Sequence, residues 1–570
     1  MKRIAILVGV LLAIATQVAS WADEAAPLRS VTAEMAARYG EMIYRQGVLP
    51  SGEPVMAVVQ EDIPVDGRMF TCVHCHQRSG LGSLEGTVIT PRTNGLDLFR
   101  PWRRTGAWRQ PEDEAARVSG RQALPPQYRV ADHRPAYTLE TLAEAIELGA
   151  HPTGRELNPV MPRYLLGQRD MGYLLEYLKT LSSEPAPGVD DTTLRFATVV
   201  TEGVPPAERE AMLAVLQALV ADHNRQSRHQ GELADKGPFF MSEHNASFRL
   251  YSLDVWELSG EPATWPQQLA AYDEARPVFA LLGGMAAGDW APIHEFCERR
   301  RIPCLFPLTE RPKITKTDWY TLYFSKGFYQ EGEAAARHLI RDQGEGVQVV
   351  QIYRQGADGE RTAAGFEAAW QEVGRPAPER VILGAAEPAA PALERLLSRQ
   401  ERPQQVLYWL GRDDLAGLGV LAGAAGSPVQ VLVSGGLAGE DFSAVPPAVW
   451  PALLITYPYE LPADRGRKAM AVANWLKVRK IPPMSPVIQA RMYFLGGILA
   501  EAVGCMRSDF YRDYFLEGID MMVDQTATIA VYPRLSFGPG QRYASKGCYI
   551  VRLAAGSPPQ LVRASDWITY

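Results

Sequence analysis

The chain has 570 residues, of which 46% are hydrophobic and 22% charged. This composition excludes global disorder and a polytopic membrane protein, and the length predicts at least three structural units. The formal net charge is −7, from 58 Lys and Arg against 65 Asp and Glu. This mild acidity argues against a nucleic-acid partner, which would require a basic surface.

The first 22 residues have the pattern of a secretory signal peptide. Lys2 and Arg3 precede an apolar run, residues 4–15, and small residues follow it. A run of this length is shorter than the about 20 residues that span a bilayer. We therefore expect cleavage and export to the periplasm, a compartment that permits disulfides.

Cys72, Cys75 and His76 form a Cys-x-x-Cys-His motif. Two thiols at this spacing can bind the vinyl groups of one porphyrin, and the adjacent imidazole can ligate its iron. The motif predicts one covalent haem c. A structural zinc site would need two further ligands at matching spacing, and a thioredoxin-like pair would need a βαβ context.

Met161 is the predicted second axial ligand, since it lies in a proline-bounded loop between two amphipathic stretches, and a thioether suits an electron carrier. The alternatives are His133, His151 and Met171.

Residues from about 30 to 182 resemble a class I cytochrome c domain in the sequences Leu139–Gly149, Gly154-Arg155, Met161-Pro162-Arg163-Tyr164 and Tyr177-Leu178. The resemblance implies an all-α domain, assigned to 23–182, with His76 proximal and Met161 distal to the iron.

Residues 183–192 have the composition of a linker, and the pattern changes after them. From 193 to 570, short β-rich runs alternate with amphipathic helical stretches. Such alternation predicts parallel sheets with helices on both faces. Because this portion is too long for one hydrophobic core, we expect two α/β lobes.

The same portion resembles the type I periplasmic solute-binding proteins of the branched-chain amino acid and amide class. The supporting residues, in chain order, are 278–284, 301–304, 330–332, 350–353 and 537–553. The resemblance implies two lobes joined by three crossing strands, which close on a small ligand between them.

The sequence departs from this family at two loops. Residues 284–288 contain no hydroxyl side chain to meet a ligand carboxylate, and residues 435–438 contain no carboxylate to meet a ligand amine. Burying an unpaired ammonium is costly, so an α-amino acid ligand is disfavoured. Thr309, Tyr408 and Trp409 are the cleft candidates for an apolar or aromatic ligand, with the alternative that Tyr408 and Trp409 are buried sheet residues.

The remaining four cysteines predict two disulfides. Cys297 ends a helical stretch and Cys304 begins the next strand, so the two can approach across a short turn. Pairing Cys505 with Cys548 would fasten the C-terminal strand and leave no odd thiol. The alternative for the second pair is two reduced core cysteines.

These features predict a non-enzymatic exported c-type cytochrome with a fused module that binds or senses a small ligand. Its electron-transfer partner would be a periplasmic dehydrogenase or another redox protein. The alternative is a solute-binding receptor for an ABC-type permease, with the haem domain as an accessory. A haem peroxidase would need an open iron position, which Met161 disfavours.

Overall fold

The computed structural model describes residues 31–60, 62–85, 88–103, 133–234, 249–344, 346–356, 358–423, 429–522 and 531–569. The predicted signal peptide, 1–22, lies outside the described residues. The chain forms two compact units, the first comprising Met1–Ala186 with Asp509–Glu517 and the second Pro187–Ser508 with Gly518–Tyr570. The boundary between Ala186 and Pro187 falls inside the segment predicted as a linker. The sequence did not predict that 509–517 would belong to the first unit.

The first unit is built on a pair of packed helices. Its helices are α1 (Ala33–Gln46), α2 (Cys72–His76), α3 (Gly95–Leu98), α4 (Leu139–Glu147) and α5 (Gln168–Thr180). Thr32 caps α1 by accepting the N–H of Met35 at 3.2 Å, which satisfies a donor that the first helical turn leaves free. A Cβ on Gly40 would lie 2.1 Å from the carbonyl oxygen of Tyr173, so glycine is needed where α1 crosses α5.

Short antiparallel strands correct the prediction of an all-α first domain. They are β1 (Met56–Val59), β2 (Ile63–Asp66), β3 (Ser83–Glu85), β4 (Val88–Thr90), β5 (Trp102–Arg103), β6 (His133–Arg134) and β7 (Arg163–Leu165). The largest sheet has the order β2-β1-β7. Val58, Val59, Ile63 and Val65 supply β-branched side chains that favour strands, and Gln60 makes the turn with a φ of 50°.

A five-stranded parallel sheet forms the first lobe of the second unit. Its strands are β8 (Thr193–Thr201), β9 (Leu250–Leu258), β10 (Ala280–Leu282), β11 (Cys304–Leu305) and β12 (Thr321–Leu322), in the order β12-β11-β10-β8-β9. The helices here are α6 (Pro206–Ala234), α7 (Trp265–Ala275) and α8 (Ala291–Arg300). Both α6 and α7 pack on β9. Leu194 and Phe196 of β8 are fully buried, as in parallel strands covered on both faces.

An eight-stranded sheet forms the second lobe. Its strands are β13 (Val349–Arg354), β14 (Glu379–Leu383), β15 (Gln405–Trp409), β16 (Gln430–Ser434), β17 (Leu453–Tyr457), β18 (Gly547–Ala554), β19 (Gln560–Arg563) and β20 (Ile568–Thr569). The order is β14-β13-β15-β16-β17-β18-β19, with β20 on β18. The first five of these strands pair in parallel and β18 joins antiparallel. The predicted two-lobed α/β architecture is confirmed.

The helices after β12 are α9 (Phe328–Asp342), α10 (Asp358–Glu372), α11 (Ala389–Leu397), α12 (Gly435–Ala438), α13 (Gly466–Val478), α14 (Pro486–Met506) and α15 (Arg512–Asp520), of which residues 512–517 belong to the first unit. Of these helices, α9, α10 and α12 contact strands of the second sheet. Helix α14 packs on α6 of the first lobe. None of the helices in the described ranges is both long and apolar enough to cross a membrane.

In the described part of the chain, three segments pass between the two lobes, and we call them the crossing segments. They are residues 323–327, 458–465 and 531–546. The first leads from β12 to α9, the second from β17 to α13, and the third into β18. Any opening or closing of the lobes must change backbone dihedrals in these segments.

Candidate functional site

Arg491 of α14 lies where the crossing segments meet. Its guanidinium carbon is 5.5 Å from the ring centre of Phe324, 5.8 Å from that of Tyr459 and 5.3 Å from that of Tyr532. Phe324, Tyr459 and Tyr532 belong to the first, second and third crossing segments. One buried cation therefore contacts an aromatic ring from every crossing segment, at distances typical of cation–π interactions.

The charge of Arg491 is only partly matched by its neighbours. Glu310, in the loop after β11, pairs with Nη2 of Arg491 at 2.9 Å, and the Arg491 side chain is 8% exposed. Burial alone would lower the pKa of Arg491, but Tyr532 and Glu310 raise it above its usual value, so the guanidinium stays charged. Nε of Arg491 is buried without a hydrogen-bond partner among the described residues, whereas the hydroxyl of Tyr532 interacts with the side chains of Ser325 and Arg491. The guanidinium therefore keeps one buried N–H that lacks an acceptor.

Aromatic side chains extend this site into the first lobe. Phe306, directly after β11, has ring centres 4.6 Å from Phe324, 5.6 Å from Phe494 and 6.1 Å from Phe537. Its φ is 55°, a backbone conformation uncommon outside glycine, and it turns the chain away from the sheet towards Glu310. The surroundings of Arg491 are thus apolar, flat-sided and poor in acceptors.

Glu331 of α9 is the carboxylate that the sequence analysis missed. Its oxygens accept the N–H of Gly436 at 3.1 and 3.2 Å and the hydroxyl of Thr456 at 2.7 Å. Glu331 therefore places a carboxylate against residues 435–438, which themselves contain no acid. Burial raises the pKa of Glu331 to about 7. The signal available in the sequence was an acid on the apolar side of an amphipathic helix, but its partner loop could not be read from it.

The structure corrects the assignment of Tyr408 and Trp409 to the ligand cleft. Both lie in β15 and are 0% and 1% exposed. Tyr408 packs against the α11 side of the sheet and donates to the carbonyl oxygen of Asp414 at 2.8 Å. Trp409 packs on the α9–α10 side and donates to Gln351 at 2.8 Å. Their polar atoms are satisfied within the core, so they are sheet residues.

Thr309 lies next to Glu310 in the loop after β11, and its hydroxyl accepts the N–H of Arg311 at 3.0 Å. It thus belongs to the loop that supplies the partner of Arg491, and its role as a cleft residue stays a prediction.

The two predicted disulfides are not formed. Cys505 is exposed on α14, whereas Cys548 is buried in β18 with its sulfur 3.9 Å from the carbonyl oxygen of Gln330. Cys304 carries a free thiol, so the bridge to Cys297 is absent as well. Cys297 and Cys304 are both buried in the same apolar cluster, where cysteine fills space as a small apolar side chain.

In the first unit, α2 carries the Cys-x-x-Cys-His motif. His76 is buried, and its Nδ1 lies 2.9 Å from the carbonyl oxygen of Pro91. Because a carbonyl can only accept, Nδ1 carries the proton and Nε2 keeps its lone pair. Burial lowers the pKa of His76, which favours this neutral form. A ring fixed in this way is typical of metal-ligating histidines.

The surroundings of the motif fit a flat apolar group. Cys72 is half-buried and Cys75 exposed, one helical turn apart. Met69 and Phe70, just before the motif, and Val160 and Leu165, on either side of Met161, are all exposed. In the described part of the chain, no group of three or more His, Cys, Asp and Glu could hold a metal ion, which leaves the zinc alternative without ligands there.

Met161 lies in a loop that Arg163 holds in place. The guanidinium of Arg163 donates to the carbonyl oxygen of Met161 at 2.7 Å and to that of Leu157 at 2.9 Å. Among the alternative ligands, Nδ1 of His151 accepts the N–H of Thr153 at 3.3 Å, so the neutral ring carries its proton on Nε2, and Met171 is buried in the helix-pair core. Met161 as the distal ligand stays a prediction.

Comparison with known proteins identifies the second unit. The family model described as periplasmic binding protein matches residues 266–557, just over half of the chain. The chain therefore belongs to the periplasmic binding protein family. No curated protein matches it.

Solved structures similar to this chain include transport receptors. A branched chain amino acid ABC transporter protein from Thermus thermophilus with bound valine has 14% identity and a TM-score of 0.46, covering 67% of this chain and 97% of that one. An ABC transporter substrate-binding protein from Sphaerobacter thermophilus has 16% identity and a TM-score of 0.48, covering 66% and 98%. A solute-binding protein from R. palustris in complex with benzoate has 14% identity and a TM-score of 0.43, covering 66% and 96%.

Proposed function

We propose that the second unit is a solute-binding module that takes a small aromatic carboxylate between its lobes, at Arg491. The observation that carries this proposal is the contact of one buried guanidinium with a ring from each crossing segment. A ligand that binds this cation acts directly on the segments that lobe motion must bend, so occupancy and closure are linked.

The chemistry of the ligand follows from what the site lacks. Nε of Arg491 needs an acceptor, and a carboxylate supplies two oxygens to a guanidinium. The rings of Phe306, Phe324 and Tyr459 offer apolar surface to a flat body. Since Arg491 is buried, the ligand enters when the lobes separate.

An α-amino acid fits less well, because its ammonium needs an uncommitted carboxylate. Glu331 already accepts from Gly436 and Thr456, and burial raises its pKa to about 7. Glu310 is committed to Arg491. A ligand with one negative charge and no positive charge is therefore favoured.

The test is isothermal titration of the purified full chain with benzoate and with benzylamine, which has a similar ring but the opposite charge. We expect benzoate to bind and benzylamine not to. Arg491→Gln should abolish benzoate binding, whereas Arg479→Gln is the matched control, because Arg479 also pairs with a carboxylate, Asp222, and lies 4.2 Å over the ring of Trp475. Equal binding of both probes, or full binding by Arg491→Gln, would contradict the proposal.

We propose a second function for the first unit, the covalent binding of one haem c. The supporting observation is the 2.9 Å contact of His76 Nδ1 with the Pro91 carbonyl oxygen, which directs Nε2 away for iron ligation. When bound, the haem supplies a one-electron redox couple. Cys72 and Cys75 would hold it, His76 would ligate its iron, and Arg163 holds the loop that contains Met161, the predicted second ligand.

Together these proposals describe a periplasmic receptor with an attached electron carrier. Its partners would be an ABC-type permease for the solute and a periplasmic redox protein or dehydrogenase for the electron.

The pyridine haemochrome spectrum of protein produced with a haem-attachment system tests the haem proposal. We expect one covalent haem per chain, lost in Cys72→Ser/Cys75→Ser, and a denatured chain free of haem would contradict it.

A further inference from the structure

An apolar pocket of about 850 Å³ opens between α13, the start of α14 and Val531. One wall is a single face of α13, since its residues recur every three or four positions. The residues of that wall are Ala469, Val472, Ala473, Leu476 and Lys477 of α13, with Arg465 just before the helix and Lys480 just after it. Because two of them are alanines, the face leaves room for a guest.

The opposite wall is rigid. It includes Pro482, Pro483 and Pro486, whose φ angles are fixed by their rings and which present no N–H donors. Gln489, which is fully buried, donates to the carbonyl oxygen of Pro482 at 2.8 Å and so ties this loop to α14. A wall of this kind loses little conformational entropy when a ligand binds.

The charged residues at the pocket are all basic. Arg465 is paired with Glu440 at 2.6 Å, but Lys477 and Lys480 make no ion pair with a described residue. Of the described residues that line the pocket, none is acidic and none is aromatic. The pocket therefore combines an aliphatic interior with two available ammonium groups.

We propose that this pocket is a second ligand site, for an unbranched alkyl carboxylate whose chain lies between α13 and α14 and whose carboxylate pairs with Lys477 and Lys480. The volume is within the range of ordinary ligand pockets, about 300 to 1,000 Å³. The site goes beyond the proposed function: its lining includes Arg465 and Val531 of the crossing segments, but not Arg491 or any ring that contacts it. Arg491 is two positions after Gln489, about 200° around the helix, so the two residues face different sides of α14.

The test is isothermal titration of the full chain with decanoate, below its micellar concentration, and with decyltrimethylammonium and butyrate as comparison probes. We expect decanoate to bind, the cationic probe of similar chain length not to bind, and butyrate to bind at least tenfold more weakly, because it buries fewer methylene groups. Binding of the two decyl probes with equal affinity would overturn the proposal.

Matched variants separate this pocket from other apolar surfaces. Both alanines are exposed on α13, but Ala473→Phe places a ring in the pocket lining and Ala471→Phe places the same ring outside it. Lys480→Glu reverses a charge at the pocket, and Arg467→Glu does so elsewhere on α13. We expect the pocket variant of each pair to weaken decanoate binding at least tenfold and its control to leave it unchanged. Equal effects within either pair, or no effect in any variant, would overturn the proposal.

Discussion

The carboxylate of Glu331 accepts the backbone N–H of Gly436 at 3.1 Å, although the two residues are 105 positions apart. Glu331 is 1% exposed, and Thr456 donates a second hydrogen bond to it at 2.7 Å. An acid from helix α9 thus fastens the loop after β16, in the lobe that contains both elements.

Glu331→Gln should change how stability depends on pH. The folded-state pKa of Glu331 is about 7 against an ordinary 4.5, so the folded chain keeps a proton that the unfolded chain releases. Its contribution to stability is fully present below about pH 4.5 and falls by about 3 kcal/mol as the pH rises to about 7. Urea denaturation between pH 4.5 and 8 should show that the unfolding free energy of the variant rises relative to that of the wild type as the pH increases. A constant difference across the window would show that Glu331 is ionised at the lower pH.

Gly436→Ala should destabilise the second unit. An added Cβ would lie 2.1 Å from Oε1 of Glu331, and the buried carboxylate could move only by breaking its hydrogen bonds, at a cost of about 1 to 3 kcal/mol. Gly466→Ala is the control, since nothing lies within 4 Å of its Cβ position. Equal unfolding midpoints for the two variants would show that Gly436 does not lie close to the Glu331 carboxylate.

Glu310→Ala should leave the buried guanidinium of Arg491 without its ion-pair partner. We expect a loss of about 2 to 3 kcal/mol in unfolding free energy, below the range for a fully buried pair, because the Glu310 side chain is 28% exposed. The double variant Glu310→Ala/Arg491→Met should recover part of this loss, since it removes the unpaired charge. A strictly additive double-mutant cycle would show that the two side chains do not interact.

The alternation of β-rich and amphipathic segments was sufficient to predict the two parallel sheets, because strands that alternate with helices along the chain form sheets covered by helices on both faces. It could not place Tyr408 and Trp409, since adjacent residues of a central strand face opposite apolar layers and both are buried. Nor could it pair Glu331 with Gly436 or assign 509–517 to the first unit, because contacts so distant in the chain leave no local pattern. The short strands of the first unit were missed because the resemblance of that region was to an all-α domain.

Met161→Ala tests the axial ligand in the haem-loaded protein. If Met161 ligates the iron, its removal should convert a low-spin spectrum to a high-spin one at room temperature, because the strong-field thioether is lost. Met171→Leu is the matched control, a nearly volume-conserving change in the buried core. A low-spin spectrum in Met161→Ala would return His133 or His151 to consideration.

Hydrogen exchange with and without saturating benzoate shows whether a carboxylate ligand at Arg491 acts on the crossing segments. We expect slower amide exchange in 323–327, 458–465 and 531–546 in the wild type, and no change in Arg491→Gln. Unchanged exchange in these segments while benzoate is bound, or equal protection in both proteins, would contradict it.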